Sequence, residues 1–361
     1  MQLEGYSVQG YKNLTAEVKL VALEKLNVIH GDNDVGKSNL LESIELAFRL
    51  LGRKRLPFHR AEVISPAEFQ KETGRPLRFA FNLESPAPII QRLRLSVGDE
   101  ELRASGIQPL LPCETIEVTI RLENDQAGGA AWTVKFEFAD GTTTQDLNEE
   151  KGEYARRFAW FLASHHLVGN SEGRPRFQLV SANRLPLDTP GESHLPRNLI
   201  PSSLALELYD ASQSADAQMR ERWSLYANTV GKLLDLGANE RVVARYDRHA
   251  ERASLAVERQ AGRLTVVPME LMGSGTQQIA ALLGHALVSG ATLLAVEEPE
   301  MNLRYSRQLA LRDALADLTR DSRGPTQLIL SSHSPAFEVG GTFYAMENGR
   351  EGPDLGVSEL R

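Results

Sequence analysis

The stretch "KLNVIHGDNDVGKSNLLESIELAFRLL", residues 25–51, decides the fold. Its first seven residues form a short apolar-rich run that stops at Gly31, and beyond it Leu40, Leu41, Ile44, Ala47, Phe48 and Leu51 recur at helical spacing. This predicts a strand, a loop and a helix. The loop satisfies G-x-x-x-x-G-K-[ST] through Gly31, Gly36, Lys37 and Ser38, in the strand-to-helix context that gives the motif its meaning. Its glycines let backbone N–H groups close on phosphate oxygens, and the positive end of the helix faces the same anion. Lys37 would reach β- and γ-phosphates while the Ser38 hydroxyl ligates Mg²⁺. The expected nucleotide-binding set is Gly31, Asp32, Asn33, Asp34, Val35, Gly36, Lys37, Ser38 and Asn39.

The last hundred residues supply matching parts. "TLLAV" (292–296) and "QLILSS" (327–332) are uninterrupted apolar-rich runs, suited to strands buried on both faces of a mostly parallel sheet. The first leads into "EEPE", so Glu297 and Glu298 arrive at a strand's carboxyl edge, where open α/β sheets bind ligands. Glu297 is expected to hold Mg²⁺ and Glu298 to orient or deprotonate an attacking water. His333, in "LILSSHSP", follows the other strand and could donate to a γ-phosphate. The other seven histidines, including His165 and His166, lack metal-ligand spacing and read as structural. "LMGSGTQQ" (271–278) opens a helix on which Ile279, Leu282, Leu283, Ala286 and Leu287 share one face. Ser274 and Gly275 at its start offer a hydroxyl and backbone N–H groups to a phosphate, or an ordinary N-cap.

Between these ends the chain changes character. "LRFAFNL", "RLRLSV", "TIEVTIRL" and "WTVKFEF" read as antiparallel strands, and "EEKGEYARRFAWFLASHH" reads as a helix. "FQLVSA" reads as a strand, the proline-rich stretch 184–201 as a loop or linker, and 204–236 as helical. "RVVARYD", "ASLAVER" and "RLTVVPM" resume strands, with "RQAG" as a hairpin turn.

Bulk composition fits a globular chain: 361 residues, 42% hydrophobic and 24% charged, which argues against general disorder. A net charge of -8 means that any nucleic-acid contact must use a local basic patch, and Arg49, Arg53, Lys54, Arg55 and Arg60 are the one candidate. A helix C-terminus also favours such cations. Cys113, the single cysteine, excludes an internal disulfide and a cysteine-based zinc cage, pointing to a reducing compartment. Without a basic-then-apolar leader or an apolar run of roughly 18 residues, a soluble cytoplasmic protein with no membrane partner is expected.

The order of motifs, phosphate loop, long insert, serine–glycine loop, acidic strand and histidine, resembles the ABC-type ATPases, in the branch of RecF, SMC-like heads and OLD ATPases. "GDNDVGKSN", "GSGTQQ", "LLAVEEPEMNL" and "SSHSP" carry the resemblance, and "GYKNL" (10–14) looks like that branch's opening strand. It implies an α/β fold with a mostly parallel sheet flanked by helices, an antiparallel β lobe and a helical insert. One domain would be built from 1–56 plus 263–361, with an insert at 57–262 divided into a β lobe (about 75–141) and a helical or mixed part (about 150–262). The resemblance further implies ATP and Mg²⁺, a head-to-head homodimer or an assembly of dimers, Ser274 acting in trans, and His333 as the switch histidine. "MNLRY" departs from the histidine- and proline-containing form of OLD relatives.

No heptad pair for coiled-coil arms is present, and the 28 residues after His333 are too few for an appended nuclease domain. A stand-alone ATPase working with a separate effector such as a nuclease, as in bacterial anti-phage systems, is the leading expectation. A low-turnover ATP-binding scaffold and a RecF-like DNA-binding repair clamp are the alternatives. A GTPase is disfavoured by the lack of an N-K-x-D base-reading motif.

Overall fold

A computed structural model describes residues 1–73, 75–82, 87–98, 102–103, 111–125, 128–146, 149–167, 176–181, 202–261, 263–338, 342–349 and 352–356. The chain divides into two compact units, Met1–Leu179 with Gly341–Arg361, and Val180–Gly340. The expected proline-rich stretch 184–201 lies outside the described residues.

In the first unit an antiparallel sheet of six strands has the order β2-β1-β5-β6-β7-β4. Its members are β1 (Gln2–Gln9), β2 (Val18–Leu20), β4 (Glu62–Ile64), β5 (Ile89–Ser96), β6 (Ile116–Asn124) and β7 (Ala130–Phe138). Strict alternation builds it: Ala130, Trp132, Val134, Phe136 and Phe138 are all buried, and the residues between them are half-buried. The sheet draws on more of the chain than 75–141, because β1 pairs with β5 from Gln2↔Ser96 to Gln9↔Ile90. Beside it β3 (Leu26–His30) pairs in parallel with β14 (Thr342–Gly349), which pairs antiparallel with β15 (Gly352–Gly356). Helix α1 (Lys37–Leu51) buries every position of its expected apolar face, along with Leu46 and Leu50. Short α2 (Pro66–Thr73) and α3 (Glu149–Leu162) follow, the latter continuing as a π-helix over Ala163–Leu167. β8 (Phe177–Val180) closes this part of the chain.

Two strand expectations are corrected here. "GYKNL" is a turn after the opening strand: Gly10 (φ 82°) and Lys12 (φ 52°) reverse the chain, and Gly10 N–H donates to Leu14 O at 2.7 Å. "LRFAFNL" forms a 3₁₀ turn over Leu77–Phe79, because Pro76 starts it and Lys12 N–H takes Ala80 O at 2.9 Å.

The second unit holds the parallel pair β12 (Leu293–Glu297) and β13 (Gln327–Ser332), both buried throughout, as two-faced coverage requires. An antiparallel sheet has the order β11-β10-β9, from β9 (Glu240–Asp247), β10 (Arg252–Ala261) and β11 (Arg263–Pro268). "RQAG" is mostly ladder and not turn, since the pairing runs on through Gln260↔Leu264 to Ala261↔Arg263. The expected helix over 204–236 is two: α4 (Ser202–Gln213) and α5 (Ala217–Leu233), the second capped by Asp216 accepting from Gln218 N–H at 2.9 Å. Helix α6 (Ser274–Val288) is buried on almost all sides, from Thr276 to Gly284 and from Ala286 to Val288, where the sequence suggests one apolar face. Leu204 and Leu208 close on Gly284, and Tyr226 donates to Ala280 O at 3.2 Å. Helix α7 (Tyr305–Leu318) precedes β13. Among the described residues, no helix is long and apolar enough to cross a membrane.

Candidate functional site

The phosphate loop lies in the first unit and is shaped by backbone geometry. Asp34 (φ 65°) and Gly36 (φ 104°) take left-handed conformations, and Gly36 is the N-cap of α1 without any side-chain cap. A Cβ on Gly31 would lie 2.3 Å from Met346 O, and one on Gly36 would lie 2.9 Å from Asn13 Oδ1. Lys37 Nζ donates to Gly31 O at 2.7 Å and Asp32 O at 2.6 Å, folding its ammonium back across the loop. With no acid in the first turn of α1, the electrostatics suit an anion. Asp32, Asn33, Asp34 and Ser38 are exposed, Val35 is buried, and Asn39 donates to Asn13 Oδ1 at 2.7 Å.

Asn13 is a neighbour of the loop that motif reading missed; "GYKNL" was the signal, read as a strand. Next to it, Lys12 and Arg75 pair with Glu42 on α1, Arg75 at 3.1 Å. Burial, reinforced by the Glu42 charge, pushes the Tyr11 hydroxyl far above its ordinary value.

The second unit carries Ser274 and Gly275 at the start of α6, and Glu297, Glu298 and His333 at the ends of β12 and β13. Glu297 ends β12 and is buried. Glu298 is half-buried with φ 43°, and its N–H donates to Ser331 O at 2.8 Å, tying the acidic loop to β13. His333 keeps 46% of its side chain exposed, so it is not a buried core histidine. Its backbone N–H donates to Glu300 Oε1 at 3.0 Å. Ser274 is the first residue of α6, exposed, and caps nothing, the N-cap being Gly273. A Cβ on Gly275 would lie 2.7 Å from Asn302 O, so only glycine allows the "MNLRY" loop this close. Ser274, Gly275, Asn302, Arg304 and Arg307 line a cavity of about 450 Å³. Sequence reasoning missed the two arginines and Glu300, because their roles depend on where side chains point.

The model for the family described as "AAA domain, putative AbiEii toxin, Type IV TA system" matches residues 26–339. The chain belongs to that family. Solved SMC heads share the fold of this AAA-domain chain. One, an SMC head bound to the C-terminal winged-helix domain of ScpA, aligns with TM-score 0.56 at 14% identity, covering 100% of this chain and 98% of that one. Another, an SMC head with an extended coiled coil bound to the C-terminal domain of ScpA from Pyrococcus furiosus, gives TM-score 0.52 at 12% identity over 98% and 95%. No curated protein matches. The AAA-domain chain thus shares its α/β P-loop fold with SMC heads.

Proposed function

We propose that this AAA-domain chain hydrolyses ATP as a molecular switch, closing head to head as a homodimer around two ATP–Mg²⁺ and controlling a separate effector. The carrying observation is the pairing of a glycine-shaped phosphate loop, with Lys37 folded across it, with a second helix start where Ser274 is exposed and caps nothing. One loop is built to enclose a triphosphate. The other offers a hydroxyl, first-turn N–H groups and two arginines to a phosphate supplied from outside, which suits the partner's nucleotide.

The donor chemistry of each unit suits the metal, since the Ser38 hydroxyl in one and the buried Glu297 carboxylate in the other are hard oxygen ligands. When bound, Mg²⁺ would neutralise phosphate charge. Lys37 exchanges its carbonyl partners for phosphate oxygens, Glu298 takes a proton from the attacking water, and His333 holds the γ-phosphate side of the site. The effector reading draws support from the family description, which names a toxin–antitoxin system, and from SMC heads solved with a bound ScpA domain. A cytoplasmic role in bacterial anti-phage defence, through an effector such as a nuclease, suits both.

Replacing Glu298 with Gln tests this directly. Turnover should fall at least ~100-fold, and the variant should sediment as a dimer only with ATP and Mg²⁺. Undiminished hydrolysis would remove Glu298 as the base, and an ATP-saturated monomer would remove the head-to-head assembly.

A second reading, a DNA-binding clamp, is favoured by one feature: a cleft of about 890 Å³ lined by Arg49, Arg53, Lys54 and Arg55 over Phe48 and Phe177. Steeply salt-dependent DNA binding, lost when Arg53, Lys54 and Arg55 are replaced together, would support it. Salt-insensitive or absent binding eliminates it.

A further inference from the structure

The acidic strand end carries a third carboxylate that neither proposed role uses. Glu300 is 5% exposed, close to fully buried. Its Oε1 accepts the His333 backbone N–H at 3.0 Å and lies 3.5 Å from ring Nδ1 of the same residue. Its Oε2 is buried with no hydrogen-bond partner among the described residues. A carboxylate is costly to bury, and this one keeps a face turned to the only histidine at the end of β13.

We propose that Glu300 is the positioning residue for His333, turning Nδ1 inward and presenting Nε2 outward to the bound phosphate. This rests on the ATPase reading above. The backbone hydrogen bond fixes the carboxylate against residue 333, and a small rotation of the imidazole brings Nδ1–H from 3.5 Å into hydrogen-bond range of the same oxygen. Because the two ring nitrogens face opposite ways, a carboxylate at Nδ1 selects both the tautomer and the direction of Nε2. The imidazole remains 46% exposed, so the ring is within reach of a ligand.

A separate clamp holds the two segments together. Gln308 Nε2 donates to Leu303 O at 2.9 Å, and its Oε1 accepts Ser334 Oγ at 2.6 Å. The Glu300 loop and the His333 turn are therefore joined without the carboxylate, and its removal changes the ring more than the loop.

The test compares Glu300→Gln and Glu300→Ala with the unaltered chain. Glu300→Gln keeps an oxygen for the His333 N–H and removes the charge, so a purely structural Glu300 predicts wild-type behaviour from it. The proposal predicts instead that ring ¹⁵N spectra of the nucleotide-free protein, with His333 assigned by its loss in His333→Gln, show the Nδ1–H form in the unaltered chain. Both Glu300 variants should move toward Nε2–H. It also predicts a kcat reduced about 10- to 100-fold with KM for ATP within about twofold. Wild-type ring spectra and kcat in Glu300→Gln would overturn it. The spectra need no nucleotide, so they decide the Glu300–His333 coupling even if Glu298→Gln shows that hydrolysis runs by another route.

Discussion

Replacing Gly31 by alanine should damage stability and nucleotide binding together, by an amount the geometry sets. The added Cβ would lie 2.3 Å from Met346 O, a backbone atom of β14, whose pairing with β3 extends to Ala345↔His30. Reaching ordinary contact at 3.4 Å means parting the two segments by about 1 Å. No side-chain rotation relieves the clash, because the atom struck is a carbonyl oxygen. Overpacking of this kind costs about 1–3 kcal/mol. Because Lys37 Nζ hydrogen-bonds Gly31 O at 2.7 Å, displacement of residue 31 also shifts the lysine. Denaturant unfolding followed by circular dichroism should show the midpoint falling at constant slope, and titration with a fluorescent ATP analogue should show affinity reduced at least about tenfold. Gly98→Ala is the control, since a Cβ there meets nothing within 4 Å. If Gly31→Ala matches Gly98→Ala in both assays, the close approach of β14 to the loop is wrong.

Two further outcomes test other parts of the fold. Gln91 is buried and donates to Tyr6 Oη at 3.0 Å and Ser43 O at 2.5 Å, joining β5, β1 and α1, so Gln91→Leu should cost about 1–3 kcal/mol by stranding those groups. A loss under about 0.5 kcal/mol in chemical denaturation would show that the network is not needed. The Arg323 guanidinium, hydrogen-bonded to the Asp321 carboxyl, holds it down at about 2, below the ordinary carboxylate value. A carboxyl lowered on folding stabilises the native state above its unfolded value, and that contribution is lost as pH falls through the folded one. Asp321→Asn should therefore lose up to about 1 kcal/mol at neutral pH, after allowing for solvent screening, and the gap to the unaltered chain should close between roughly pH 4 and pH 2. A gap that widens on acidification would contradict the pairing.

What could be read in advance follows from where the physics is local. The strand–loop–helix of residues 26–51 and the runs in β12 and β13 are visible because burial on both faces concentrates apolar residues in unbroken runs, Leu293–Val296 and Leu328–Leu330 in the two last strands. β5, β6 and β7 are visible through period-two alternation. The place of β1 in their sheet was not, because its pairing of Gln2 with Ser96 joins residues far apart in sequence. The full burial of α6 was missed because Gly284 gives no hint that Leu204 and Leu208 close on it. At the candidate site the residue types were legible and their arrangement was not. "EEPE" reads as a pair of carboxylates plus a spare, and only the direction of the Glu300 side chain turns the spare toward His333.

Three of the non-glycine residues with positive φ lie in the candidate-site loops, while Ala22, Asp235 and Glu251 lie elsewhere. Asp34 (φ 65°), Glu298 (φ 43°) and Asn302 (φ 60°) all hold left-handed conformations that an L side chain disfavours, each at a cost of roughly 1 kcal/mol or more. Two of them are held by neighbours: Glu298 N–H donates to Ser331 O at 2.8 Å, and Asn302 Nδ2 donates to Gln278 Oε1 at 3.3 Å. The bonds around Glu298 and Asn302 tie the end of β12 to the end of β13, and the loop that follows β12 to Gln278 of α6. At Glu298 and Asn302 the strain coincides with the roles proposed above for the acidic loop and the Ser274 surface. Glu298→Gly, which relieves the strain at that position while deleting the carboxylate, should therefore raise unfolding stability slightly even as it abolishes turnover, the opposite of what loss of a relaxed structural residue would do.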